Sequence, residues 1–187
     1  MTGARLLRPS ALALTLAIVA CTPALNWREV RLDGLTALLP CKPDQAQRSV
    51  RLGATDIQMD MVGCEAADAL YAISHVRAQD ATHAAGLLSE WRAVTLANLH
   101  ATSVQPHAFK FAKVTEGAYQ VPSGATVAAH NGEWKLLWVQ GQRPDASAVQ
   151  ARLAWFALGA DVYHVAVYGA QLGPQSVDML YSDLRLQ

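Results

Sequence analysis

The spacing of hydrophobic and polar positions changes along the chain, and each change marks a different kind of element. Between residues 27 and 76, apolar residues come in short runs or alternate with polar ones, as Ile57, Met59 and Met61 do. Such alternation is typical of half-buried strands. Asp33 and Gly34 separate the first two of these strands and suit a tight hairpin turn. This first half is therefore predicted to be an antiparallel meander.

The period becomes helical between Asp80 and Ala101, where apolar residues recur at steps of three and four. Asp80 or Thr82 is suited to cap the start of this amphipathic helix. Residues 103–132 are rich in Gly, Pro, Ser and His and predict weak strands and a long loop. Three strands that pair consecutively are predicted next, and Pro174 opens a last helix; the strands span 134–140, 148–158 and 162–168.

This order of elements predicts an α+β fold, in which an antiparallel sheet or sheets pack against two amphipathic helices. The chain has 187 residues, which suits one domain of ordinary size. We predict a signal peptide over 1–20, a short tether over 21–26 and a single domain over 27–187.

The N-terminus has the layout of a secretory signal peptide. Arg5 and Arg8 precede an uncharged apolar run from Ala11 to Ala20. Ten residues reach only about 15 Å as a helix, roughly half the hydrocarbon core of a bilayer, so a membrane span is disfavoured. The run ends at Cys21, and cleavage before that residue is the better interpretation.

Ile18, Val19 and Ala20 before Cys21 resemble the bacterial lipobox. The resemblance implies that Cys21 becomes the first mature residue, carries diacylglycerol and tethers the protein to a membrane. Thr22, in place of Asp, implies delivery to the outer membrane, facing the periplasm. The alternative is a chance cysteine near an ordinary cleavage site, in a protein secreted without lipid.

Cys41 and Cys64 are the two cysteines that remain. In an exported protein they are expected to form one structural disulfide. Closing this loop would stabilise the fold by about 3 kcal/mol in the chain-entropy model. Free thiols and a redox pair are the alternatives, and the second is disfavoured because there is no Cys-x-x-Cys spacing.

Charge and composition exclude several classes of protein. The chain has 15 basic and 15 acidic residues, and 52% of its residues are hydrophobic, which argues against a disordered tail and against a nucleic-acid binder. Without the leader, 13 basic residues face 15 acidic ones. Electrostatics therefore identifies no partner.

The sequence shows no motif for catalysis, a cofactor or a metal. Its six histidines form no His-x-x-x-His pair, HExxH motif or Cys/His cluster, and no Gly-x-Ser-x-Gly run is present. The predicted catalytic, cofactor and metal sites are therefore none. Trp134 and Trp138 lie four apart on one predicted strand, with Trp155 on a neighbouring one. They either pack in the core or line a ligand groove or partner surface.

Several features resemble small exported proteins of the PsbP-like and DcrB-like group. The features are Trp27, Val30, the run from Gly34 to Pro40, Pro43, a helix around Trp91 and the closing Leu184-Arg185-Leu186. The resemblance spans nearly all of the predicted mature chain and implies an α/β sandwich with a binding or assembly role. The cysteine pair departs from the general pattern, and no functional residue carries over.

The first functional expectation is a non-enzymatic envelope lipoprotein that binds a protein partner or supports an assembly, with an exposed apolar patch. The second is a small-ligand or lipid-binding module with a cleft lined by Trp134, Trp138 or Trp155, of about 300 Å³ or more. An envelope enzyme is the third, and a cleft with converging His and Asp or Glu side chains would favour it.

Overall fold

The computed structural model describes residues 25–53, 55–110, 113–114 and 133–186. Within these residues the elements run along the chain in the order that follows. They are β1 (Arg28–Leu32), β2 (Leu35–Leu39), β3 (Asp44–Leu52), β4 (Thr55–Ala66), β5 (Ala69–Arg77), α1 (Ala81–Asn98), β6 (Ser103–Lys110), β7 (Lys113–Val114), β8 (Glu133–Gln142), β9 (Ala148–Leu158), β10 (Asp161–Gly169), α2 (Pro174–Ser182) and β11 (Arg185–Leu186).

The strands form two sheets. The large sheet has seven strands in the order β3-β4-β5-β10-β9-β8-β6, and all of its neighbours are antiparallel. The small sheet has the order β1-β2-β11-β7, in which only the β11–β7 pair is parallel. Because β2 pairs with both β1 and β11, the first and last described strands lie in the same small sheet.

The predicted α+β fold class was wrong, because strands make up 57% and helices 18% of the structure. The expected single meander also divides, with β1 and β2 in the small sheet and β3 to β5 in the large one. The sequence pattern fails most clearly at β3: it predicts a short strand over Ser49–Leu52, whereas the strand runs from Asp44 to Leu52. This edge strand exposes seven of its nine residues, so it lacks the alternation that marks a half-buried strand.

The large sheet is covered on both faces. One face packs against the small sheet and α2 in a single apolar cluster, to which Leu39, Phe156, Val165, Leu180 and Leu186 belong. The other face packs against α1 through two smaller clusters. The molecule is therefore layered, with α1 on one side of the large sheet and the small sheet with α2 on the other.

Several local predictions were confirmed. Asp33 and Gly34 both have positive φ, 44° and 86°, as a two-residue type I′ hairpin requires. Asp80 caps α1, and Pro174 occupies the first turn of α2. The strands β8, β9 and β10 pair consecutively, as predicted.

The amphipathic character of α1 is weaker than predicted, because only Ala84 and Trp91 are fully buried along it.

Candidate functional site

An open cleft of about 570 Å³ lies between α1 and one corner of the large sheet. Its walls come from the start of β4, the end of β5 and the first three turns of α1. Most of the lining side chains are polar, and they include Asp56, Gln58, Arg77, Gln79, Thr82, His83 and Glu90. Asp56 and Glu90 are acidic and Arg77 is basic, so the cleft contains charges of both signs. Ile57 and Leu87 add apolar surface. This volume falls within the usual range of small-molecule sites, about 300–1,000 Å³.

The N-terminus of α1 at this cleft is already capped from within the chain. The Asp80 carboxylate accepts hydrogen bonds from the backbone N–H groups of Thr82 at 2.8 Å and His83 at 2.9 Å. It also contacts the His83 ring at 2.9 Å. The backbone hydrogen bond from His83 is the largest of the effects that lower the pKa of Asp80. Because Asp80 occupies the helix end, selectivity in the cleft must come from its side chains.

A second hollow of about 530 Å³ surrounds the β4–β5 turn, between Glu65 and Leu70, with Arg143 and Tyr168 on its far side. Its floor is the turn itself, whereas a helix and a sheet form the walls of the first cleft. The first cleft is therefore the stronger candidate for holding a ligand.

Trp138 and Trp155, two of the tryptophans predicted to line a cleft, lie on opposite faces of the large sheet. Trp138 is half-buried on the face that carries the small sheet and α2. Its ring stacks on His107 with the centroids 3.8 Å apart, and the Arg152 guanidinium lies 4.1 Å from the Trp138 ring centroid. Burial lowers the pKa of Arg152. Trp138 is thus held between two side chains of neighbouring strands.

Trp155 lies on the opposite face, beneath α1. Its ring stacks on His164 with a centroid distance of 4.5 Å, and Trp91 of α1 meets the other side of His164 edge-on at 5.3 Å. Trp155 therefore packs the helix–sheet interface, and it cannot line a groove together with Trp138. The side chain of Trp134 lies outside the described residues.

A polar cluster joins the two sheets on the small-sheet side. The His75 ring is 5% exposed, and its two nitrogens lie between two carboxylates. Nε2 is 2.9 Å from Asp161, which also accepts hydrogen bonds from Arg77 at 2.8 and 3.1 Å. Nδ1 is 2.9 Å from Asp33 but has no hydrogen-bond partner. Asp60 places a carboxylate oxygen within 4.8 Å of both Asp33 and His75 donor atoms.

Tyr163 contacts both Asp33 and His75 of this cluster. Its hydroxyl donates to the backbone carbonyl of Asp33, and its ring lies 5.0 Å from the His75 ring. Burial, together with the carboxylates of Asp161 and Asp33, raises the pKa of Tyr163 above its usual range. Its phenol is therefore a neutral hydrogen-bond donor that fixes the position of the Asp33 turn.

The predicted Cys41–Cys64 disulfide is confirmed, with the two Cα atoms 6.0 Å apart. Cys41 follows β2 of the small sheet, and Cys64 lies on β4 of the large one. The bond therefore joins the two sheets covalently. The predicted lipidation site, Cys21, and the predicted signal peptide lie outside the described residues. Within the described residues, no helix is long and apolar enough to cross a membrane.

Sequence reasoning missed both the cleft and the polar cluster. Asp33, Asp60 and His75 belong to a turn and two strands, so no local motif spacing connects them. The one sequence signal was His75, a polar residue at the position where Tyr71 and Ile73 predict the next apolar residue of the strand. The cleft has no sequence signal at all, because it depends on how α1 lies across the sheet.

A comparison of the chain with models of known protein families and with curated proteins finds no match.

Proposed function

We propose that the protein is a non-enzymatic, lipid-anchored domain of the bacterial envelope that faces the periplasm and binds a small polar ligand. The single observation that carries the binding role is the open cleft of about 570 Å³ between α1 and the large sheet. Anchoring rests on the sequence around Cys21 and on the resemblance to small exported proteins. A structural disulfide is consistent with an oxidising compartment.

The lining of the cleft favours a polar ligand over an acyl chain. Arg77 offers a cation, and Asp56 and Glu90 offer carboxylates at the same opening. A ligand with hydrogen-bonding groups and charges of both signs matches this lining best. The His83 ring contacts Asp80 at 2.9 Å, so it is already held beside the cap of α1.

The alternative role, binding to an envelope protein, has less support from the surface. The large apolar side chains that are exposed among the described residues come from four different elements, namely Leu70, Val94, Val104 and Met179. Docking patches on proteins are usually contiguous apolar areas. The described surface therefore favours a small ligand over a protein partner.

Gly86 provides a direct test of the cleft. It lies on the cleft wall in α1, and an added Cβ would meet no heavy atom within 4 Å. Gly86→Trp should fill the cleft without disturbing the helix. Gly86→Ala is the matched control, and it should raise the free energy of unfolding by about 1 kcal/mol because alanine is the better helix former.

The measurement is thermal stability of the three proteins against a panel of amino acids, sugars and short peptides. We expect at least one compound to raise the Tm of the wild type and Gly86→Ala but not of Gly86→Trp. A compound that stabilises all three equally would place binding elsewhere. The absence of any stabilising compound would contradict the small-ligand proposal.

A further inference from the structure

The cluster of Asp33, Asp60 and His75 has the composition of a metal site. One imidazole nitrogen and two carboxylate oxygens lie within 4.8 Å of one another. They come from the β1–β2 turn, β4 and β5, so they span both sheets. Acidic clusters are common on protein surfaces, and the donor set alone would not identify a site. The decisive observation is the state of the buried imidazole.

The hydrogen on the His75 ring can be placed from its partners. A carboxylate only accepts hydrogen bonds, so the Nε2–Asp161 contact of 2.9 Å requires Nε2 to carry the hydrogen. Arg77 holds Asp161 on its other side. In the neutral ring this leaves a lone pair on Nδ1. In metal sites the imidazole of a ligand histidine usually donates its other N–H to an acceptor such as a carboxylate. This hydrogen bond fixes the orientation of the ring and leaves the second nitrogen to bind the metal.

The other nitrogen of His75, Nδ1, faces the carboxylate of Asp33. Nδ1 is buried, has no hydrogen-bond partner, and lies 2.9 Å from an oxygen of Asp33. A lone pair and a carboxylate oxygen at this separation repel each other unless a positive charge lies between them. The contact lacks the geometry of a hydrogen bond, whereas a cation bound by both atoms does not need that geometry.

We propose that Asp33, Asp60 and His75 bind one divalent transition-metal ion at the junction of the two sheets. A mixed imidazole and carboxylate donor set suits Zn²⁺ or Mn²⁺ better than Mg²⁺ or Ca²⁺. Three protein ligands leave at least one position for water or a small anion. Gln47 supports the site by donating to the Asp60 carboxylate at 2.8 Å.

The ligand atoms must adjust their positions to hold this ion. Zn²⁺ holds nitrogen and oxygen ligands at about 2.0–2.2 Å, so no two of them can stay 4.8 Å apart. Nδ1 of His75 and the Asp33 oxygen, at 2.9 Å, already meet this condition. The His75 ring is fixed by Asp161 and by burial, so the carboxylates would adjust around it, and Asp33 is free to do so because its side chain is 52% exposed.

Asn substitutions separate metal binding from folding. Asp33→Asn keeps the size of the side chain, and Asn tolerates the positive φ at this turn as Asp does. Asp60→Asn keeps an oxygen that can accept from Gln47. Asp68→Asn is the matched control, because Asp68 is an exposed carboxylate with positive φ in the β4–β5 turn.

The experiment titrates Zn²⁺ by calorimetry into the whole protein, expressed with its own leader and purified in detergent after chelation. We expect one ion per chain, and at least a tenfold loss of affinity in Asp33→Asn and Asp60→Asn but not in Asp68→Asn. Zn²⁺ should also raise the Tm by several degrees, because the ion links two sheets. This rise should vanish in the two site variants.

Three outcomes would overturn the proposal: no stoichiometric binding to the wild type, equal affinity in Asp33→Asn, or equal loss in Asp68→Asn. Gly86→Trp distinguishes this site from the cleft. It should leave the Zn²⁺ affinity unchanged, so the metal site and the ligand cleft can each fail independently.

Discussion

His164 is a histidine that is buried in the interface between α1 and the large sheet. It lies on β10 beneath α1, between the rings of Trp155 and Trp91, and its Nε2 has no hydrogen-bond partner. Burial lowers the pKa of His164 to about 3, from an ordinary value of 6.5. The folded protein therefore keeps this imidazole neutral above about pH 3.

This pKa predicts a loss of stability in acid that one substitution should reduce. Above pH 6.5 the ring is neutral in both states, so it has no effect. Below that pH the unfolded chain takes up a proton that the folded chain excludes until about pH 3. The free energy of unfolding should then fall by about 1.4 kcal/mol per pH unit from this group.

His164→Phe keeps a ring in the stack and removes the titrating group. Urea unfolding at pH 7, 6, 5 and 4.5 should show a shallower decline for this variant than for the wild type. His100→Asn, in the exposed turn after α1, is the control, since Asn tolerates the positive φ of this position, and it should leave the slope near that of the wild type. Identical slopes for the wild type and His164→Phe would show that this histidine does not control acid stability.

At the scale of elements, the end of α1 is joined to β8 by backbone contacts. The Leu99 carbonyl accepts from the Gln142 N–H at 2.7 Å, and Thr102 donates its N–H to the Gln140 carbonyl at 2.9 Å. Gly141 lies between these two bonds and is buried. A Cβ at Gly141 would overlap the Leu99 carbonyl oxygen. The helix can approach the strand this closely only because residue 141 has no side chain.

Gly141→Ala should therefore destabilise the protein, by about 1–3 kcal/mol, since a backbone segment would have to move. Gly86→Ala serves as the comparison, because the same substitution there meets open space and should stabilise. Chemical denaturation of both variants measures the difference. Equal stability of the two variants would mean that the helix end adjusts to the added methyl group without cost.

Buried strands were easier to locate from the sequence than exposed ones. The buried strands β9 and β10 were located within a few residues, because they are rich in apolar residues. The helix α1 was located equally well from its Asp80 cap and its spacing of three and four, although only Ala84 and Trp91 are fully buried along it. The exposed edge strand β3 was mostly missed, because its polar residues give no period. The division into two sheets could not be predicted, since it depends on which strands pair rather than on any one segment. The polar cluster was missed for the same reason.

At the scale of the whole molecule, the proposed anchor at Cys21 lies only a few residues before the described part of the chain. Asn26 donates its N–H to the Pro40 carbonyl at 2.6 Å, so the chain is fixed just before β1 begins. Little free chain would then separate the lipid from the small sheet. We expect the domain to sit close to the membrane that holds it.

Mass spectrometry of the protein extracted from its own membranes without reductant tests this arrangement. The mature mass should begin at Cys21, include acyl groups and lack two hydrogens for the Cys41–Cys64 bond. Cys21→Ser should lose the acyl mass and leave the membrane fraction. Replacing Cys41 and Cys64 with serine is the control, and this variant should stay lipidated. An unmodified, freely soluble wild-type protein would overturn the envelope assignment.

The first and last described strands lie together in the small sheet. This arrangement affects how a protein anchored at residue 21 would be oriented relative to the membrane. Arg185 of β11 forms an ion pair with Glu29 of β1 at 3.1 Å, across β2. A lipid at residue 21 would therefore draw the small-sheet layer toward the bilayer. The opposite layer, with α1 and its cleft, would point away from the lipid surface, toward solutes that diffuse through the surrounding space.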